Sequence, residues 1–318
     1  MQGGGGSSIP RVKESEVGDI CVYNTVDSSL AIIKGSEWSE SAYPIDTYVP
    51  IGIVAVPASH GHYEGGKCAI VSLNHMRCDT PTTGGSSQTM CWGVYGTDID
   101  TLPNLNQVPY VGSNGSVGDT IIGVTGTAYL PSDYSVFTAV TNPYDNGTNY
   151  YYNNSDKYIP SPYNNDGTFN PNYSLTTSPS STSNCLSDFD GYNNTKKILE
   201  VRGEKDYSSW TPLARTQADY PAASCCDMYS TVGIPQGNWY LPACGELGYV
   251  CVRKQALDNS LNKLIQGGVS SANVFVSGAY WSSSEYSSAN AGFVDLYFGY
   301  VYGYDKNRNN YVRAFALV

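Results

Sequence analysis

The sequence predicts an α+β chain, and three observations carry that expectation. Short apolar runs between turn formers dominate the first eighty residues, one stretch after Pro242 repeats apolar residues at helical spacing, and the last forty residues alternate with period two.

Taken in order, residues 1–15 open with Met1-Gln-Gly-Gly-Gly-Gly-Ser-Ser, a composition expected to give a flexible start. Residues 16–85 hold Ile20-Cys-Val-Tyr23 and Ile51-Gly-Ile-Val-Ala-Val56, broken by Asp-Ser-Ser, Pro and Gly. This is expected to be a small β-rich domain ending near the linker-like Thr80-Pro-Thr-Thr-Gly-Gly, the attachment domain of the resemblance given below. Residues 86–318 are assigned to a second, ligand-binding domain. Its first part, 107–190, is rich in Asn, Tyr, Ser, Pro and Gly, which are turn formers, yet too aromatic for a disordered tail. Long ordered loops are expected there.

After Leu241-Pro242, Leu247, Val250 and Cys251 share one helical face, and Leu257, Leu261, Leu264 and Ile265 continue the spacing up to Gly267-Gly268. That predicts one or two amphipathic helices. Beyond them Asn273-Val-Phe-Val, Ala279-Tyr-Trp, 293–298 and 311–318 read as strands of a meander. On strand spacing Phe293, Asp295 and Tyr297 face one way, toward a ligand, and Val294, Leu296 and Phe298 the other, toward the core. Tyr300, Tyr302 and Tyr304 alternate with Val301 and Gly303, displaying phenols on one face; an equally good reading is that the tyrosines simply cover a sheet.

Composition narrows the function. Seventeen basic against 28 acidic side chains leave a net charge of −11, which repels phosphate backbones and anionic lipid. Nucleic acid is therefore not expected as a partner. No window is apolar enough to span a bilayer, and the start lacks the regions of a signal peptide, so no membrane insertion is expected. Tyrosine is the outlier, 28 against 7 Phe and 5 Trp, and with abundant Asn, Ser and Gly it is the vocabulary of a binding surface.

Nine cysteines fit no zinc spacing and read as small buried thiols rather than a disulfide framework. His60, His62 and Glu64 are close in sequence, but the intervening Gly and loop-like setting favour solvated histidines over a metal site. The carboxylates of Asp188, Asp190 and Asp295 are too dispersed to build a calcium loop. No metal or other cofactor is expected.

Three segments carry a family resemblance: Gly237-Asn-Trp-Tyr-Leu-Pro-Ala-Cys-Gly-Glu-Leu-Gly-Tyr249, Tyr280-Trp-Ser-Ser-Ser-Glu-Tyr286 and Asn310-Tyr-Val-Arg-Ala-Phe315. In that order and spacing they resemble the variable proteins of diversity-generating retroelements, over about residues 200–318. Ile159-Pro-Ser-Pro-Tyr163 and Ser187-Asp-Phe-Asp-Gly191 are similar to the same family's upstream part. The resemblance implies a C-type-lectin-like fold for 86–318, with a ligand site rewritten through adenine-directed mutagenesis of Asn-type codons. Such codons yield Tyr, Asp, Gly, Ala, Phe or Ser but not Trp, Lys, Glu, Gln or Met. Positions obeying that restriction are Ala289, Phe293, Asp295, Tyr297, Tyr300, Tyr302, Gly303, Tyr304, Asp305 and Asn307, with Arg308 beside them setting polarity. Trp281, Glu285, Val294, Leu296 and Val312 then read as scaffold.

The segments Val17-Gly-Asp-Ile-Cys21 and Pro50-Ile-Gly-Ile-Val-Ala-Val-Pro-Ala-Ser-His60 are similar to segments of phage tail-fibre proteins. That implies a tail-tip receptor-binding protein on the virion, homotrimeric, contacting other tail proteins and a host cell-surface glycan or protein. The alternative is a bacterial surface or pilus-tip adhesin of the same lectin family. Catalysis is the third class, since formylglycine-generating enzymes resemble the Tyr-Val-Arg-Ala-Phe end. It is set aside because those enzymes need a reactive cysteine pair, whereas Cys244 and Cys251 fall on the expected helix among apolar neighbours. No His follows His75 to serve as a base.

Overall fold

The computed structural model describes residues 12–60, 63–77, 88–102, 188–201, 219–296 and 300–318, with five two-residue strand segments between 110 and 158. The strands are β1 (Ile20–Asn24), β2 (Ser29–Ile33), β3 (Tyr48–Val56), β4 (Ala69–Ser72), β5 (Thr89–Cys91), the pairs β6 (Tyr110–Val111), β7 (Val117–Gly118), β8 (Thr120–Ile121), β9 (Thr125–Gly126) and β10 (Lys157–Tyr158), then β11 (Trp239–Tyr240), β12 (Ala279–Glu285), β13 (Asn290–Asp295), β14 (Tyr300–Asp305), β15 (Asn309–Tyr311) and β16 (Phe315–Leu317). Three α-helices intervene among the described residues: α1 (Gly191–Val201), α2 (Pro221–Asp227) and α3 (Cys244–Gln266). The α+β expectation stands.

Two six-stranded sheets organise the described residues. The first runs β11-β16-β4-β3-β1-β2 and is antiparallel throughout. The second runs β5-β15-β12-β13-β14-β8, with β12 and β15 parallel and the other pairs antiparallel.

The first sheet crosses the expected division of the chain. Residues 16–85 do not form a separate sheet, because β4 pairs with the last strand: Val71 opposes Phe315 and Ala69 opposes Leu317. The boundary expected near residue 80 thus falls between two parts of a shared architecture. Turn formers at 80–85 show a linker, but a linker within a domain and one between domains read alike.

The same sheet is covered on both faces. Ile20, Val22, Ile33, Ile53, Val71 and Phe315 join one apolar cluster, while Cys21, Ile32, Ile51, Val54, Ile70 and Ala316 join another. Successive side chains point to opposite faces, so a strand buried on both reads as a continuous apolar run. Ile51-Gly-Ile-Val-Ala-Val56 is such a run.

Helix α3 covers the first cluster with Leu247, Val250, Leu257, Leu261 and Leu264, all fully buried, while Ile265 at its end is 42% exposed. Its N-terminal N–H groups are satisfied from far away in sequence. Cys244 N donates to Ser284 Oγ of β12 at 2.9 Å, and Gly245 N donates to the Asp188 carbonyl at 2.8 Å. Glu246 reaches back to accept the Ala243 N–H at 2.7 Å, the role of a capping carboxylate at the third helical position. The helix stops at Gly267 and Gly268, the latter at φ +89°, a conformation that glycine adopts without Cβ strain.

Cys21, Cys68, Cys226 and Cys244 are buried thiols. Burial pushes the pKa of Cys68 up to about 11 and that of Cys21 and Cys226 further, so these sulfurs serve as apolar packing groups. His60, expected to be solvated, is instead buried, with Phe189 at 5.0 Å and Tyr249 at 5.3 Å between ring centroids. No helix among the described residues is long and apolar enough to cross a membrane.

Candidate functional site: the terminal hairpin and its turn

Of the residues singled out for recognition, those described lie on β13, on β14, in the turn that follows and, for Ala289, just before β13. In this hairpin Phe293 opposes Tyr302, Gly292 opposes Gly303, Ala291 opposes Tyr304 and Asn290 opposes Asp305. Tyr297 lies outside the described residues, and of Tyr300 and Tyr302 the strand position alone is described.

Phe293, expected to face outward, is buried. It is 9% exposed, set edge-on to Trp281 at 6.3 Å and tilted against Tyr304 at 5.4 Å. Period-two alternation separates Phe293 from Val294 correctly, but both sides are covered: Val294 enters the first apolar cluster and Phe293 the second. A one-core picture leaves the second face open to water, and here a second core fills it.

The exposed surface lies further along. Tyr304 is 41% exposed, resting its ring on Phe293 and, at 6.1 Å, on Trp281. After it come Asp305, partly exposed, Asn307, exposed, and Arg308, whose side chain is 61% exposed and lies 3.7 Å from Asp305. Ala289 is partly exposed, and its carbonyl accepts the Lys306 N–H at 3.0 Å, which ties the two ends of the hairpin. Asp295 is partly exposed at the other end of β13. The structure therefore brings together Ala289, Tyr304, Asp305, Asn307 and Arg308 and leaves Phe293 beneath them.

Gly303 also behaves as scaffold. A Cβ built there lies 2.5 Å from Cδ1 of Tyr286, too close for any side chain unless that ring moves.

Lys306, between the exposed residues of this turn, is fully buried. It pairs with buried Glu285, donates to the Thr97 carbonyl at 2.6 Å and stands 4.8 Å from the centre of the Trp92 ring. Glu285 additionally accepts the Ile99 N–H at 3.2 Å. The Lys306 carbonyl accepts from Trp92 N at 2.9 Å and Gly93 N at 3.0 Å. Burial raises the Glu285 pKa and lowers that of Lys306, while each charge favours the ionised form of the other. The signal that points to this pair is an acidic residue on a strand among buried neighbours, which requires a buried cation.

Arg313 is a second cation with no exposed surface. Its guanidinium donates to the carbonyls of Ser72 at 3.0 Å and Val274 at 3.1 Å and to Asn273 through both its carbonyl and Oδ1, and it stacks on Phe275 at 4.1 Å. It anchors the Tyr-Val-Arg-Ala-Phe segment to Ser72 and to 273–275.

No family model matches the chain, and no curated protein matches it. A solved fimbrial protein from Bacteroides ovatus is similar at 19% identity with a TM-score of 0.39; the match covers 95% of this chain and 48% of that one. The chain thus spans about half the length of that structure, and a likeness so distant leaves fold and function to be argued from the chain itself.

Proposed function

We propose that the chain is a non-enzymatic surface adhesin, whose ligand-binding face is the exposed end of the β13–β14 hairpin together with the turn from Asp305 to Arg308. The observation that carries this reading is the contrast between an exposed turn and its buried support. Tyr304, Asp305, Asn307 and Arg308 offer an aromatic platform, an acid, an amide and a cation, while Glu285, Lys306, Trp92 and Trp281 hold the backbone below them fixed. A fixed backbone lets outward side chains be exchanged at little cost in stability, about 0.5 kcal/mol or less for a typical surface substitution.

On this reading the adhesin belongs to the retroelement-diversified, lectin-like proteins that the sequence resembles. It is displayed on the bacterial surface or, in the second setting the resemblance allows, at a phage tail tip as a trimer. Trimeric display multiplies weak single sites into avidity of about 10² to 10⁴ fold.

The test is binding of the purified chain to intact bacterial cells, comparing the native sequence with Tyr304→Ala/Asp305→Ala/Arg308→Ala. Loss of binding with an unchanged melting temperature is expected; full retention overturns the assignment to this turn. Fractionation of producing cells, with antibody detection on cells and on phage particles, separates the two settings.

A further inference from the structure

A second site is built at the edge of the first sheet. Between the first turn of α1, strand β11 and the segment 63–67 lies a cleft of about 470 Å³, within the roughly 300–1,000 Å³ of small-molecule sites. It shares no residue with the hairpin.

The walls are aromatic and fixed. The hydroxyls of Tyr63 and Tyr240 both donate to Oε1 of Glu246, at 2.6 and 2.7 Å, and Tyr192 meets Tyr240 edge-on at 5.9 Å. Glu246 is fully buried and itself held by the Ala243 N–H, so the ring positions are set before any ligand arrives. Such preorganisation removes part of the ordering cost of binding. Around the mouth stand the exposed side chains of Asp190, Asn193 and Asn238. Asn193 already donates to Asp190 Oδ1 at 2.7 Å, which orients its amide.

We infer that this cleft is a binding site for one or two residues of a neutral sugar, the aromatic walls covering the apolar faces of the rings and the Asn193, Asn238 and Asp190 groups meeting their hydroxyls. Other ligand classes fit less well. Asp190 and Glu64 outweigh Lys67 among the lining charges, which opposes phosphate and carboxylate ligands, and the net charge of −11 adds to that opposition. No cluster of three or more metal-ligating side chains occurs among the described residues. The amide and carboxylate mouth disfavours a purely apolar ligand, since its polar groups would lose water without replacement. A polyhydroxylated, uncharged ring satisfies both halves of the lining.

This inference stands independently of the hairpin reading. Saturation-transfer NMR on the full chain with millimolar methyl glycosides of glucose, galactose, mannose, N-acetylglucosamine and fucose is expected to show transfer to at least one of them. Asn193→Ala/Asn238→Ala, both exposed positions, is expected to weaken that glycoside at least about tenfold without moving the melting temperature. The hairpin variant Tyr304→Ala/Asp305→Ala/Arg308→Ala is expected to bind it unchanged. Absence of transfer from every glycoside, tighter binding of a sulfated or phosphorylated sugar, or undiminished binding by the Asn193/Asn238 variant would each overturn the assignment. Loss of glycoside binding in the hairpin variant instead would move sugar recognition to the hairpin.

Discussion

Glu246 shows how far one side chain is bound to its surroundings. Its carboxyl is fully buried among Tyr63, Tyr240 and Ala243, and burial pushes its pKa up to about 8 although all three partners donate to it. The folded chain thus holds this proton over a pH range in which the unfolded chain, with an ordinary carboxyl near pH 4.3, has released it. With fewer protons on the unfolded state, stability falls as pH rises, from the unfolded value to about 8. We expect the melting temperature to decline between pH 5 and 8.5, and Glu246→Gln to flatten that decline. Gln keeps an acceptor for the Ala243 N–H while its amide donates to the two phenols. A pH profile identical in both proteins would remove Glu246 from this role.

Arg313 carries a different prediction at the same scale. Its fork serves four acceptors from Ser72, Asn273 and Val274, a geometry that a lysine ammonium cannot reproduce. Arg313→Lys is expected to cost about 3 kcal/mol or more in urea unfolding, because buried carbonyls lose their donors.

At the scale of elements, the terminal hairpin depends on a charge pair hidden beneath it. Removing Lys306 alone leaves Glu285 buried without its cation, a loss of about 3–5 kcal/mol. Lys306→Met is expected to lower stability by that order and to raise amide hydrogen exchange over 305–308. The double variant Glu285→Gln/Lys306→Met should be more stable than Lys306→Met, since no unpaired charge remains. A double variant that unfolds more easily than the single one would sink the idea of a stranded charge. Elements also differ in how legible they are. Helix α3 is plain from the helical spacing of Leu247, Val250, Leu257, Leu261 and Leu264, but its first two turns, 244–251, are buried all round, and its exposed positions among the described residues are confined to 255–266. The facing of β13 was half legible: Val294 and Leu296 read as core, but the burial of Phe293 and Lys306 depends on Trp281, Trp92 and Glu285, which reach them from other parts of the chain. A strand's period separates its two faces without saying what covers each.

The whole molecule turns on a connection that no local pattern announces. The final strand, Phe315–Leu317, is inserted between Ala69–Ser72 and Trp239–Tyr240, so the first and last parts of the chain complete one sheet. Both clusters mix the two parts: Ile20, Ile53 and Val71 pack with Leu247, Leu261 and Phe315, and Ile32, Val54 and Ile70 with Trp239, Trp281 and Ala316. Neither part buries its apolar surface alone, and an unpaired central edge exposes a row of backbone donors and acceptors. We therefore expect a single cooperative transition for the described core in calorimetry, with calorimetric and van't Hoff enthalpies equal. Residues 86–318 produced without 16–85 should lose near-ultraviolet circular dichroism and bind a hydrophobic dye, since β4 and β3 no longer shield β16 and α3. If that fragment instead melts cooperatively with native-like aromatic signals, the shared sheet is dispensable, and residues 86–318 fold as an autonomous domain after all.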